Sequence, residues 1–222
     1  MCGRYSFATE DELIWERFGV RVRTAIYKAR YNCAPTQQLA VVSNVKPQEL
    51  SFFRWGLIPS WARDPAIGHK LINAKSETVT EKASFKNSFR SRRCLVLSDG
   101  FYEWKKGTVK TPYRVHLKTG DPFAMAGIWD KWVSADGEII HSFAILTTGP
   151  NTLMQQIHER MPVILHREDE KNWLGNTAES RLLELLKPYP TEFMEAYPVS
   201  TLVNSPKNEG PEIFIRASVN IL

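Results

Sequence analysis

The sequence predicts an α+β fold: a single domain with a mostly antiparallel, curved β-sheet core flanked by short helices. Three observations predict it. Strand-forming runs dominate the middle of the chain, with Gly107, Gly120 and Gly137 in the turns between them. Helical periodicity is confined to short stretches around that middle. No internal repeat or linker divides the 222 residues, a length that suits one large domain with ample core. The domain is expected to run over 1–222. Its Pro-rich tail, from about residue 190, is expected to be a loosely packed extension of the same unit.

The elements follow in order. Thr9-Glu10-Asp11-Glu12 reads as a capping box with Thr9 as N-cap; Leu13, Ile14 and Phe18 recur at helical spacing, and Gly19 closes the helix. Arg30 to Thr36 reads as a loop, because Pro35 pushes its predecessor out of helix. Leu39 to Ser43 is β-rich, and Leu50 to Trp55 alternates like a strand that ends in the aromatic loop Trp55-Gly56-Leu57-Ile58-Pro59-Ser60-Trp61. Leu71 to Thr78 places polar groups behind two apolar ones, as a strand end facing a cleft would. Residues 79–89 read as helix. Cys94 to Leu97 is a buried-type strand, and Ser98-Asp99-Gly100 turns it into Phe101-Tyr102-Glu103-Trp104. Pro112 to Leu117, Phe123 to Ile128 and Ile139 to Thr147 are three more strands. Asn151 to Ile157, Glu168 to Leu174 and Ala178 to Leu186 read as short helices.

The composition is that of a soluble globular protein, with 43% hydrophobic and 24% charged residues. A net charge of +5 is compatible with a polyanionic partner. No apolar run is long enough to span a membrane, and the start of the chain lacks a signal-peptide hydrophobic region, so a cytoplasmic protein is expected. Cys2, Cys33 and Cys94 are widely spaced and odd in number, which argues against a disulfide framework and against zinc. His69, His116, His141 and His166 share no ligand spacing, so neither a metal nor another cofactor is expected.

Cys2 directly follows the initiator methionine. Trimming of Met1 would leave an α-amine two carbons from a thiol. That aminothiol can attack an acyl carbon with the amine as base. It can also condense with an aldehyde and close to a five-membered thiazolidine. An α-amine has a pKa of about 8, against about 10.4 for lysine, so far more of it than of a lysine is neutral and nucleophilic at pH 7. Glu103, set between Tyr102 and Trp104, is either a solvent-facing strand residue or a proton shuttle raised by burial. His158 is either a helix-end histidine or a general acid or base. Asn73 either orients a substrate oxygen or caps a turn. Arg4, Lys75, Lys82, Arg90, Arg92, Arg93 and Arg160 form a candidate phosphate track. Trp55, Trp61 and Trp104 are candidate stacking platforms for bases.

Together these pieces resemble the abasic site processing family, also called the SOS response-associated peptidase or SRAP domain. The resemblance rests on Met1-Cys2-Gly3-Arg4-Tyr5, Arg30-Tyr31-Asn32 with Ala34-Pro35, and Trp55 to Trp61. It continues through Ile72-Asn73-Ala74 with Glu77-Thr78, Gly100 to Trp104, Ile157 to Pro162, and Val199-Ser200-Thr201 with Val203-Asn204-Ser205-Pro206. It implies binding to single-stranded DNA containing abasic sites and a covalent thiazolidine cross-link through Cys2. It also implies lyase- or peptidase-type chemistry, including autoproteolytic removal of whatever precedes Cys2. By the same resemblance Asn73 positions the amine and the sugar, Glu103 handles protons during imine formation, and His158 helps to open the deoxyribose ring. Arg4, Asn32, Lys75, Trp104 and Arg160 match positions associated with DNA contact. Many relatives carry Arg where this chain has Lys75, which keeps the charge and loses the bidentate fork. Two rivals stand beside this reading. One is a class II glutamine amidotransferase, which also begins Met-Cys-Gly; the other is a non-covalent single-stranded DNA-binding module.

Overall fold

In a computed structural model, which describes residues 2–22 and 27–217, the strands divide into two sheets. In chain order the elements are β1 (Tyr5–Phe7), α1 (Asp11–Phe18), β2 (Arg30–Cys33), β3 (Gln38–Ser43), β4 (Lys46–Trp55), β5 (Asn73–Lys75) and α2 (Lys86–Ser91). Then come β6 (Arg93–Ser98), β7 (Gly100–Lys105), β8 (Thr111–Leu117), β9 (Phe123–Val133), β10 (Ile139–Thr148) and α3 (Thr152–Gln155). The last are β11 (Met161–Pro162), α4 (Glu170–Leu174), α5 (Glu179–Glu184) and β12 (Met194–Pro198).

The first sheet runs β12-β8-β7-β1-β2, with every neighbouring pair antiparallel. The second runs β11-β10-β4-β3-β6-β9, and β9 then pairs back along β10 from Val133↔Ile139 to Gly127↔Ile145. β10, β4, β3, β6 and β9 therefore close on themselves as a barrel, which removes their free edges. Closure requires β10 to run parallel to β4 at Ser142 and Phe143, and parallel to β5 from Ile145 to Thr147. The mostly antiparallel, curved sheet read from the sequence is what forms. Its strands are packed on apolar side chains: Val41, Trp55, Val96, Met125, Ile128, Phe143 and Leu146 belong to one buried cluster.

The two sheets meet at the turn between β6 and β7. Asp99 there accepts the Ser6 hydroxyl at 2.6 Å and the Ala8 amide at 2.5 Å, and pairs with the Arg114 guanidinium at 3.1 Å. Gly100 makes room for that guanidinium, because a Cβ at this position would lie 2.9 Å from Arg114 Cζ. The first strand of the chain is thus an interior strand, held between β2 and β7.

Four local expectations need correction. The Thr9 capping box does not form: the N-cap is Glu10, and the Thr9 hydroxyl turns to Asp99 at 3.4 Å. Arg30–Cys33 is strand rather than loop, because β1 offers it a ladder from Tyr5↔Cys33. Residues 79–89 are not one helix. A 3-10 turn at Ser76–Thr78 is followed by single turns that bury Val79 and Phe85, and α2 starts only at Lys86. The described part of the tail, up to residue 217, is packed rather than loose. β12 extends the first sheet along β8, and Val199, Val203 and Ile213 are buried against Tyr102.

Gly56 ends β4 at φ +121, where an added Cβ would lie 2.6 Å from the Gly68 carbonyl oxygen. L side chains rarely adopt that conformation, and the facing backbone cannot yield. Gly56→Ala is expected to lower unfolding free energy by roughly 1–3 kcal/mol in urea titrations. An unchanged midpoint would contradict this account of the Trp55–Trp61 loop.

Candidate functional site

Cys2, Asn73, Glu103 and His158 come from four separate segments, and the fold brings them together. Tyr5 pairs with Phe101, and the Tyr102 amide donates to the Arg4 carbonyl at 2.9 Å. The same register carried two residues back sets Glu103 across from Gly3, beside Cys2. Asn73 starts β5, opposite Ile145 of β10, and its Nδ2 donates to the Cys2 carbonyl at 2.8 Å. The Asn73 Oδ1 is a buried acceptor with no hydrogen-bond partner among the described residues. His158 follows α3, with its amide bonded to the Met154 carbonyl at 2.7 Å. Its Nε2 lies 3.9 Å from Glu103 Oε2.

Burial sets the electrostatics. Cys2 is 0% exposed, and desolvation pushes its thiol well above the ordinary range, with the Glu103 carboxylate adding to the rise. Glu103 is 3% exposed, and burial holds its carboxyl above the usual carboxylate range against the opposing pull of His158. A thiol and a carboxyl that both hold their protons more tightly than in water, beside an imidazole, form a set of proton donors and acceptors around the start of the chain.

The other predicted residues fall into three groups. Arg4 and Asn32 form a bracket: Arg4 Nη1 donates to Asn32 Oδ1 at 2.8 Å and to the Val203 carbonyl at 2.7 Å. Asn32 is fully buried, and its Nδ2 donates to the carbonyls of Val203, Ser205 and Asn208. Its side chain therefore ties the tail to the N-terminal strand and has no surface to offer a strand of DNA. Trp104 is half-buried beside Glu103, with Nε1 donating to Asn204 Oδ1 at 2.8 Å. Lys75 is exposed at the end of β5. Arg160 forms a two-pronged pair with the Glu77 carboxylate, through Nη1 to Oε1 and through Nη2 to Oε2 at 2.9 Å. Its Nη2 also donates to the Thr147 carbonyl at 2.7 Å. That pair holds the Glu77 carboxyl down to about 2.

Trp55 is corrected. It is 0% exposed, its Nε1 donates to the Ile72 carbonyl at 2.9 Å, and its ring stacks against Phe143 and meets Tyr5 edge-on. Both faces serve the core, so it presents no platform for a base; Trp61 is 55% exposed. The candidate phosphate track also shortens. Arg93 is buried, and its guanidinium donates to the carbonyls of Phe89, Arg90, Trp173 and Gly175. Arg90 pairs with Glu179 and Arg92 with Asp130. Sequence reasoning missed two contributors, Glu77 and Asn204. Both lie inside the quoted motifs, but no local pattern links Glu77 to Arg160 or Asn204 to Trp104. It also missed a groove of about 530 Å³ lined by Lys105, Lys106, Gln155, Gln156 and His158, among others. Among the described residues, no helix is long and apolar enough to cross a membrane.

A family model described as SOS response associated peptidase (SRAP) matches residues 1–206. The abasic site processing protein YoqW of Bacillus subtilis strain 168 is 46% identical over 220 residues, which covers 96% of this chain and 98% of that protein. The abasic site processing protein HMCES of Xenopus tropicalis is 34% identical over 221 residues, which covers 84% of this chain and 65% of that protein. A crystal structure of a protein from Bacteroides thetaiotaomicron superposes with a TM-score of 0.90 at 32% identity, covering 98% of this chain and all of that one.

The buried indole and the half-buried one should separate in stability measurements. Trp55→Ala is expected to cost roughly 3–5 kcal/mol, because it empties a packed core position. Trp104→Ala, with one side-chain hydrogen bond and partial burial, should cost about 1–2 kcal/mol. Equal losses in urea unfolding would return Trp55 to the surface.

Proposed function

Because the chain belongs to the SOS response associated peptidase (SRAP) family, we propose that it processes abasic sites in single-stranded DNA. The proposed product is a thiazolidine cross-link through Cys2 that shields the lesion. One observation carries the reading: a hydrogen bond from Asn73 holds Cys2 by its carbonyl, beside a buried carboxyl and a histidine. A buried aminothiol with acid–base groups at hand suits condensation with an aldehyde. The aldehyde of an abasic sugar is hidden in a closed ring, so opening the ring needs proton transfer.

Met1 lies outside the described residues, and its removal is part of the proposal. The α-amine of Cys2 then adds to C1′ of the opened sugar, and the hydroxyl leaves as water with a proton from Glu103. The sulfur of Cys2 bonds to the same carbon, and the thiol proton restores the Glu103 carboxyl. Amine, thiol and aldehyde thus become thiazolidine and one water. The raised thiol suits this order, because the thiol stays protonated until the electrophilic imine is beside it. In this reading Asn73 Oδ1 accepts from the amine or a sugar hydroxyl, and His158 exchanges the ring-opening proton. Holding amine and aldehyde in contact makes a slow bimolecular condensation local. Arg4, Lys75, Trp104 and Arg160 are assigned to the strand flanking the lesion. Phosphate contact and stacking imply salt-dependent binding with little sequence preference. Peptidase-type self-removal of a segment preceding Cys2 would use the same thiol.

Two outcomes are expected on an abasic single-stranded oligonucleotide resolved by denaturing gel. Mature protein gives a stable adduct, whereas Cys2→Ala binds the strand and leaves none; a stable adduct from Cys2→Ala would overturn the thiazolidine. Glu103→Gln should slow cross-linking about 10²-fold. The sign of the pH dependence follows from the raised carboxyl. Its proton persists to higher pH than in the unfolded chain, so the rate falls as pH rises through the folded value, and Gln flattens that limb. The same shift makes the ionised carboxylate a burden on the fold that grows as pH rises from the unfolded value to the folded one. Glu103→Gln should therefore match or exceed wild-type stability at neutral pH, and a large loss would return Glu103 to a structural role.

A further inference from the structure

His158 needs a second residue to hold it, and the hydrogen bonds around its ring identify one. The Arg160 main chain faces the Nδ1 of His158 with both of its polar groups: the amide nitrogen at 3.1 Å and the carbonyl oxygen at 3.3 Å. In neutral imidazole one nitrogen carries the proton and the other accepts. A donor at Nδ1 makes that nitrogen the acceptor and sends the proton to Nε2, the nitrogen 3.9 Å from Glu103 Oε2. In imidazolium both nitrogens donate, and Nδ1–H then has the Arg160 carbonyl to donate to. One main-chain residue thus answers both protonation states.

That main chain is itself fixed through the Arg160 side chain. The guanidinium grips Glu77 with two prongs and the Thr147 carbonyl with a third bond. Thr147 lies at the end of β10, opposite Lys75 of β5 and Pro162 of β11. The clamp therefore ties the turn that carries His158 to the strand pair that carries Asn73. Glu77 is 52% exposed, so it is a surface carboxylate that its partner's fork holds in place.

We propose that Glu77 is a positioning residue for His158: through Arg160 it holds a donor and an acceptor against one imidazole nitrogen, so that the ring gives and takes a proton without turning. The inference rests on the reading of His158 as a proton carrier. Other charged or titratable groups face the same ring. They are Glu103 from β7, Lys105 and Lys106 across the groove, and Glu159 and Arg160 from its own turn.

The test uses full-length mature protein with Glu77→Gln and Glu77→Asp, each checked for a folded spectrum. Long-range nitrogen–proton NMR of labelled histidines reads the tautomer, with His158→Ala giving the assignment. Wild type should show His158 as a single Nε2–H tautomer, and Glu77→Gln a mixture of the two. On saturating abasic oligonucleotide, Glu77→Gln should lower the single-turnover cross-linking rate about tenfold and displace its pH profile. Glu77→Asp should recover part of both. Affinity for an oligonucleotide with an unreactive tetrahydrofuran site should not fall, because Glu77→Gln leaves the positive charge of Arg160 in place. Added to His158→Ala, Glu77→Gln should cost nothing more. An unchanged tautomer in Glu77→Gln overturns the inference, and so does a rate loss that persists in full on the His158→Ala background. If wild type forms no adduct, the functional reading fails, and the tautomer comparison alone decides the role of Glu77. If Glu77→Gln does not fold, Glu77→Asp carries the same comparison.

Discussion

Everything at the site depends on how β10 closes the barrel. One strand takes β9 antiparallel and both β4 and β5 parallel. Closed pairing fixes register, because a one-residue slip would turn Phe143, Ile145 and every other inward side chain out of the core. That register sets Asn73 opposite Ile145 and Thr147 opposite both Lys75 and Pro162. Asn73 then reaches Cys2, and Thr147 receives Arg160. The excursion that carries α3 and His158 leaves β10 at Thr148 and returns to it at Met161, so its two ends are tethered to the strand that sets the rest.

The second sheet-level constraint is the position of the first strand. An N-terminal segment usually lies at a surface and frays. Here it lies between β2 and β7, pinned by Asp99 through Ser6 and Ala8, and bracketed by Arg4, Asn32 and the Val203 carbonyl. Cys2 is buried as a result. Low local dielectric raises both the thiol and Glu103, so both give up their protons less readily at the point where the proposed chemistry starts. The tail contributes to the same place. Asn204 holds Trp104, Glu209 pairs with Arg30, and Val203 and Ile213 pack on Tyr102.

Much of the fold was legible in the sequence. From Arg93 to Thr148 the β-rich runs break at Gly107, Gly120 and Gly137, so composition and punctuation agree. Gly19 ends α1 in the left-handed region at φ 65, as its place after the last periodic residue suggests. What escaped was set by partners distant in sequence. Barrel closure through β10 leaves no local mark. Val79 and Phe85 turn into the core and break a helix that propensity favours. Thr9 has a cap sequence, but the stronger partner is Asp99. Trp55 sits in a loop that looks made for a ligand, yet Tyr5 and Phe143 enclose it. The residues of the candidate site were readable through motifs rather than through pattern. Cys2 was readable from its place beside Met1, but Glu77 was not, because its partner Arg160 lies far along the chain.

The central claim is that the carbon of an abasic sugar ends bonded to both the nitrogen and the sulfur of Cys2. Intact-mass spectrometry of the denatured adduct, followed by peptide mapping, measures this directly. The account predicts a mass equal to protein lacking Met1 plus oligonucleotide minus one water. It places the modified peptide at Cys2-Gly3-Arg4, with no free thiol or α-amine remaining on Cys2. An adduct carried by a lysine, or one whose mass includes the Met1 residue, would contradict it.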